Sequence, residues 1–227
     1  MPRDATSGSR APVVFSSRPP MTRSRANIRS KAQHGRTQTR APKQLRLRII
    51  MAEITPPIWR LVRVPDRFTL HQLHRVLQIA FSRLDYHLYA FRMGSRSFEA
   101  PDPESEAEDA TAIALNSLGL LPGSQFTYIY DFGDGWEHSI AVEALLPMPS
   151  ENGPDWSPRL LDGDRAAPPE DAGGPSGYAE AVAALSDPRH PQHKEIRDWV
   201  GTTYDPDKFD AWAIDHALAL AVAWGAV

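Results

Sequence analysis

Two alternating aromatic runs joined by a glycine-containing stretch constrain the fold of this chain more than any other feature. FTYIYDF and WEHSIAV both place large apolar or aromatic side chains at every second position, which is typical of half-buried β-strands. The residues on the shared face are Phe126, Tyr128, Tyr130 and Phe132 in the first run, and Trp136, His138, Ile140 and Val142 in the second. Gly133-Asp134-Gly135 separates the runs, and Asp-Gly tolerates the positive φ angles of a tight turn. The pattern therefore predicts a β-hairpin.

The tip of this hairpin, DFGDGWEH, concentrates groups that are able to do chemistry. Asp131 and Asp134 supply carboxylates, and His138 supplies an imidazole beside Trp136. Strand alternation predicts that Asp131 lies on the face opposite the aromatic side chains, whereas His138 shares their face. The tip is consistent with a catalytic cluster, a metal site or a turn without chemistry.

A second acidic stretch follows the hairpin in the proline- and glycine-rich residues 147–177, which we interpret as a long loop. It carries Asp162, Asp164, Glu170 and Asp171. Structureless loops of this length are usually functional or partly disordered. We expect the segment to fold back on the hairpin, which would bring its acids toward those of the tip.

Helices and further strands complete an α+β pattern. LRLRIIM and IWRLVRV predict strands, HLYAFRMGSRSF predicts two more around Gly94-Ser95, and Thr69 with Gln72 predicts a capping box. The helix that follows carries an apolar stripe formed by Leu70, Leu73, Leu77, Ala80, Phe81 and Leu84. His71 and His74 flank this stripe and are predicted to be surface or boundary residues. The alternative is that the two histidines bind a metal together. Later helices are predicted at 177–186, about 191–200 and 206–221, the last burying Phe209, Trp212, Ala213, His216 and Leu220.

Charge divides the chain into a basic arm and an acidic body. Residues 1–48 hold twelve Lys and Arg and one acid, a net of +11, whereas the remainder holds 13 basic and 27 acidic residues, a net of −14. Residues 1–43 lack apolar periodicity, so they are predicted to be disordered. An arm of this kind could bind nucleic acid through Arg23, Arg25, Arg29, Lys31, Arg36 and Arg40. It could also fold back on the body, act as a transit peptide, or have no function.

Composition excludes several classes of site. The chain has no cysteine, so disulfides, thiolate nucleophiles and cysteine-based metal sites are excluded. It has no apolar run of about 18 residues and no secretory signal, so neither a membrane partner nor export is expected, and the predicted location is the cytoplasm.

The segments PPIWRLVRVP (56–65), FTLHQLHRVLQIAF (68–81), HLYAF (87–91), FTYIYDFGDGWEH (126–138) and LDGDRAAPPEDAGG (161–174) occur in a specific order. In that order and spacing the chain resembles the plasmid pRiA4b ORF-3-like family. The resemblance implies an α+β fold, with two small α+β subdomains sharing an antiparallel sheet and C-terminal helices, over residues 44–222. It implies no established activity, although some members carry mobile-element labels such as resolvase and one type is joined to a repressor-like DNA-binding domain.

Many members of that family carry cysteine at the positions of Leu160, Ala167 and Ala172. A thiolate metal site at those positions, if relatives have one, would be lost here.

Three functions are compatible with the sequence. The first, which the sequence favours over an enzyme, is a mobile-element-type binding module for protein or nucleic acid. The second is a metal-dependent phosphoester hydrolase. The third is structural, with His138 hydrogen-bonded to Asp162 or Glu170 so that the acids only hold the loop against the sheet. No cofactor is predicted and no metal ligands are assigned. The candidate functional cluster is Asp131, Asp134, Trp136, His138, Asp162, Asp164, Glu170 and Asp171.

Overall fold

The computed structural model describes residues 43–148 and 156–227. Residues 1–42 of the predicted arm, with its candidate nucleic-acid contacts, and residues 149–155 of the proline-rich segment lie outside the described residues. Lys43, predicted as the last residue of the arm, instead begins the first strand. The strands are β1 Lys43–Met51, β2 Trp59–Pro65, β3 Tyr89–Met93, β4 Arg96–Glu99, β5 Glu108–Asp109, β6 Gln125–Tyr130, β7 Trp136–Pro147 and β8 Arg159–Asp164. The helices are α1 Leu70–Ala80, α2 Gly174–Ser186, α3 His193–Val200 and α4 Ala211–Ala223, with a 3-10 turn at Leu115–Ser117.

One mixed eight-stranded sheet organises the chain, in the order β5-β4-β3-β6-β7-β1-β2-β8. Neighbouring strands are antiparallel except for β4 and β5, which run parallel. The α+β class is confirmed, with one sheet shared along the described chain and three helices after it. In the part of the chain that the structure describes, no helix has the length and apolar character needed to span a bilayer.

The core follows the alternation in the sequence. The inward face of β1 is formed by Leu45, Leu47, Ile49 and Met51, all at most 2% exposed, and β1 pairs with β2 and β7. The capping box predicted at Thr69 and Gln72 is present at the start of α1.

Helix α1 departs from its predicted pattern at two positions. Leu84 lies beyond the end of the helix and is exposed. His74 is buried rather than at the surface, because its ring stacks on Tyr89 at a centroid distance of 3.7 Å. It also bonds the Tyr128 hydroxyl and the Asp85 carboxylate.

The segment interpreted as one long loop contains a strand. Residues Arg159–Asp164 form β8, which pairs antiparallel with β2 at the end of the sheet order. The run RLLDGD has little alternating apolar character, and a strand of this kind is held by its partner's backbone rather than specified by its own side chains.

The last helix begins later than predicted. Asp205-Pro206 does not start it; the Asp210 side chain accepts a hydrogen bond from the Ala213 backbone N–H and forms the cap. The buried side of α4 consists of Ile214 and Leu218, so the predicted stripe is wrong. Trp212 is exposed, with its ring stacked on His216.

The hairpin between β6 and β7 is confirmed, but its turn is longer than the Gly-Asp-Gly stretch. Tyr130 pairs with Trp136, so the turn occupies residues 131–135. Asp131 has a φ of 58°, which turns the chain out of the strand geometry. Phe132 therefore leaves the aromatic face and is exposed.

Candidate functional site

The turn of the hairpin fixes the orientation of the Asp131 side chain. Its Oδ1 atom accepts hydrogen bonds from the backbone N–H groups of Gly133 and Asp134, at 2.9 and 3.2 Å. The Asp131 carbonyl accepts a third bond from the Gly135 N–H at 2.7 Å. Both Oδ1 bonds lie within the turn, and the Oδ2 atom faces away from it.

Strand pairing brings His87 to this carboxylate. Tyr89 of β3 is paired with Tyr130 of β6, and the Asp131 N–H donates to the Leu88 carbonyl at 2.9 Å. His87 lies two residues before Tyr89, so the same register sets it beside Asp131. Its Nε2 atom lies 3.5 Å from Asp131 Oδ2.

The loop before α2 closes on the hairpin tip, as the sequence predicted. The Gly173 N–H donates to Asp134 Oδ2 at 3.1 Å. Gly174 has a φ of 70°, and a Cβ atom built on it would lie 2.5 Å from the Asp134 carbonyl oxygen. Only glycine fits such a close approach without displacing the turn.

Glu170 fastens the same loop to the region after α1. Its Oε1 atom accepts from the Leu84 N–H at 2.7 Å and from the Tyr130 hydroxyl at 3.2 Å. Its Oε2 atom lies 3.3 Å from Nη1 of Arg83, whose guanidinium covers the Trp136 ring. The Glu170 side chain is only 8% exposed. These contacts hold the loop against the hairpin and against the region after α1.

His87, Asp131 and Asp171 form a compact three-residue cluster at this corner. One ligand atom of each residue lies within 4.8 Å of the others. His87 Nε2 is 3.3 Å from Asp171 Oδ1, and the Tyr86 hydroxyl donates to Asp171 Oδ2 at 3.3 Å. The side chains become more exposed from Asp131 (9%) through His87 (25%) to Asp171 (66%). The cluster is anchored in the protein and opens to solvent.

This geometry suits a divalent cation. An imidazole nitrogen with two carboxylate oxygens is a ligand set used by zinc and other first-row metals. Bonds of about 2.1 Å in a tetrahedral site place neighbouring ligand atoms roughly 3.4 Å apart. The two separations from His87 Nε2, 3.5 and 3.3 Å, are close to that length. Three protein ligands leave a position for water or substrate.

Trp136 and His138 belong to the core. Each is 1% exposed. The His138 ring lies 4.8 Å from the Phe81 ring, and its Nδ1 atom bonds the Trp136 carbonyl at 3.1 Å. Burial lowers the pKa of His138 to about 3, and the charge of Arg83 adds to the effect. The bond predicted between His138 and Asp162 or Glu170 is wrong, because the ring points into the core.

Asp162 and Asp164 do not join the cluster, because both lie on β8 and are exposed. Oδ1 of Asp162 accepts from the N–H of the next residue, Gly163, at 2.8 Å. The Asp164 carbonyl accepts from the Arg60 guanidinium at 2.9 Å. Of the eight predicted residues, the corner therefore gathers Asp131, Asp134, Glu170 and Asp171.

His87 and Tyr86 are the site residues that sequence reasoning missed. They precede β3, about forty residues before the hairpin tip, and no local motif connects them to it. Their position at the start of the HLYAF strand could have indicated a site only if the pairing register of that strand with β6 had been known.

Comparison with known proteins shows similarity to a family model, a curated protein and a solved structure. The family model described as "Plasmid pRiA4b ORF-3-like protein" matches residues 43–213. The "Uncharacterized protein y4hQ" of Sinorhizobium fredii is 42% identical over 185 residues, covering 79% of this chain and 93% of that protein. A crystal structure of a protein of unknown function, MM3350 from Methanosarcina mazei Go1, aligns with a TM-score of 0.69 at 31% identity, covering 76% of this chain and 97% of that one.

Proposed function

This chain belongs to the plasmid pRiA4b ORF-3-like family, and from the geometry of the hairpin corner we propose that it is a metal-dependent protein that acts on phosphoesters. The observation that carries the proposal is the cluster of His87, Asp131 and Asp171. These residues would hold a divalent cation, and the cation would polarise a phosphoryl oxygen and activate a bound water.

The surroundings of the cluster support this assignment. Leu84, Tyr86, Leu88 and Phe132 are between 49% and 69% exposed and are linked to the corner by chain position or hydrogen bonds. Exposed apolar side chains grouped in one place mark contact surfaces. They would contact the organic part of a substrate whose phosphate reaches the metal.

The alternative for the same residues is a cluster of hydrogen-bonded and charged side chains that holds the loop and binds no metal. Such a cluster would show no saturable binding of a divalent cation.

Calorimetric titration of the chelator-treated full chain with Zn²⁺, Mn²⁺, Co²⁺ and Ni²⁺ tests the site. Asp171→Asn and His87→Gln should each weaken binding roughly tenfold or more, because each removes one ligand. Asp131 is less suitable, since its Oδ1 atom also organises the turn. Asp162→Asn is the matched control, an exposed aspartate on β8 outside the cluster. Absence of saturable binding by all four metals, or equal loss in the control, contradicts the proposal.

Hydrolysis needs its own measurement. With the tightest metal bound, the chain should turn over bis(p-nitrophenyl) phosphate, and Asp171→Asn should abolish that turnover. If the chain binds metal but hydrolyses neither this diester nor p-nitrophenyl phosphate, the metal site is supported and the hydrolase activity is contradicted.

A second function, nucleic-acid binding, is favoured by the charge of the arm. The net of +11 in residues 1–48 contrasts with −14 in the remainder, so the arm would carry any contact with phosphates. Anisotropy with labelled duplex DNA should show binding that weakens with salt and is lost when residues 1–42 are deleted. Retention of affinity after that deletion contradicts it.

A further inference from the structure

A cavity lies beside the segment that follows β8. Its volume is about 430 Å³, within the range of small-molecule sites. Its apolar walls are formed by Phe81, Pro168, Pro169, Tyr204, Phe209 and Ile214. Three of these, Phe81, Tyr204 and Phe209, carry aromatic rings, so the cavity presents planar apolar surfaces.

Arg60 lines this cavity and is a buried cation that has no anionic hydrogen-bond partner among the described residues. It is 1% exposed. Its four hydrogen bonds go to the backbone carbonyls of Trp59, Ala80, Asp164 and Arg165, at 2.7 to 2.9 Å. Carbonyl dipoles satisfy its N–H groups but do not neutralise its charge, and buried charges are normally paired.

Aromatic rings hold the Arg60 guanidinium in place. Its Cζ atom lies 4.9 Å from the centre of the Phe81 ring and 4.7 Å from that of Phe209. Phe209 in turn rests on Gly163, where an added Cβ would lie 2.5 Å from its ring. The cation is fixed, and burial lowers the pKa of Arg60 to about 10, although the charge of Asp164 opposes the shift.

Two further cations line the cavity. Arg165 pairs with Asp207 through Nη1, and its buried Nε atom has no hydrogen-bond partner among the described residues. Lys208 is exposed and forms no ion pair within residues 43–148 and 156–227. The two acids of the lining, Asp205 and Asp210, are exposed and each accepts a local backbone hydrogen bond. The buried charge in the lining is therefore positive.

We propose that this cavity binds a small organic anion with a flat apolar body, whose carboxylate or phosphate group supplies the counter-charge for Arg60 and Lys208. The ring walls would cover the apolar body of the ligand. The proposal is independent of the metal site, since none of its residues belongs to the His87 cluster.

Calorimetric titration of the full chain, treated with chelator, tests the cavity with three probes of similar shape. Benzoate and phenyl phosphate carry the charge, whereas benzamide is a neutral analogue of benzoate. At least one of the two anions should bind, and benzamide should bind at least roughly tenfold more weakly than benzoate if the charge decides affinity. The tighter of the two anions identifies the preferred acidic group.

Lys208→Met is the informative variant, because Arg60 is part of the core and its replacement would disturb folding. It should weaken anion binding roughly tenfold by removing one charge-assisted contact. Lys194→Met on α3 is the matched control and should leave the affinity unchanged, as should Asp171→Asn at the metal cluster. No binding by either anion, equal affinity for benzamide and benzoate, or an unchanged affinity in Lys208→Met would each overturn the proposal.

Discussion

Two buried histidines are expected to make the protein unstable in acid. His74 and His138 are each 1% exposed. Burial lowers the pKa of His74 to about 4 and that of His138 to about 3, both from an ordinary value of 6.5. The carboxylate of Asp85 opposes the shift at His74 but does not cancel it. The folded protein therefore favours both imidazoles in the neutral form.

The direction and size of the effect follow from linkage. The unfolded chain takes up a proton at each imidazole below about pH 6.5, and the folded chain does so only near the lowered pKa. The stability contributed by each histidine is complete above pH 6.5. It is lost as the pH falls toward about 4 for His74 and about 3 for His138. At pH 5 the loss is about 2 kcal/mol for each, or roughly 4 kcal/mol together.

Urea unfolding of the full chain at pH 8 and pH 5 measures this loss. Carboxylates also titrate near pH 5, so the informative quantity is the change of the pH effect in a variant. His138→Phe keeps an aromatic ring and removes the titrating group. The free energy of unfolding should decrease from pH 8 to pH 5 in both proteins. The decrease should be about 2 kcal/mol smaller in His138→Phe than in the original chain.

His216→Phe on α4 provides the control, since this histidine is exposed and lies outside the core. An unaltered pH effect in His138→Phe would refute the reasoning, because it would mean that the His138 ring is protonated equally in the folded and unfolded chains.

Two further substitutions test how the loop is held to the hairpin. Gly174→Ala should destabilise the fold by about 1–3 kcal/mol more than Gly119→Ala in urea unfolding, because both glycines have positive φ but only the first contacts the hairpin tip. Equal costs would show that the close approach is unimportant. Glu170→Gln should lower the free energy of unfolding by about 1.5–3 kcal/mol, since it leaves the buried Arg83 without its carboxylate. Glu180→Gln, on the exposed face of α2, should change it little, and a similar loss in both would contradict the assignment.

Local sequence patterns determined the elements whose stabilising contacts lie within a few residues. The capping box of Thr69 and Gln72, the alternation in β1 and the pairing of β6 with β7 in a hairpin were all predictable, because their hydrogen bonds and burial repeat at short, fixed spacings. The prediction from sequence was wrong for a strand that depends on pairing with another strand. β8 has a weak pattern and exists through its pairing with β2.

Tertiary structure alone decided which of the acids share a site. Asp131 and Asp171 meet His87 because the register of β3 against β6 and the closure of the loop on Asp134 bring distant segments together. The same hairpin buries His138 in the core and exposes Phe132 at its tip. Sequence specifies which face of a strand a side chain takes, since that depends on a local period. Whether side chains from different segments meet at one site depends on pairings between residues far apart in the chain. Only the folded structure determines those pairings.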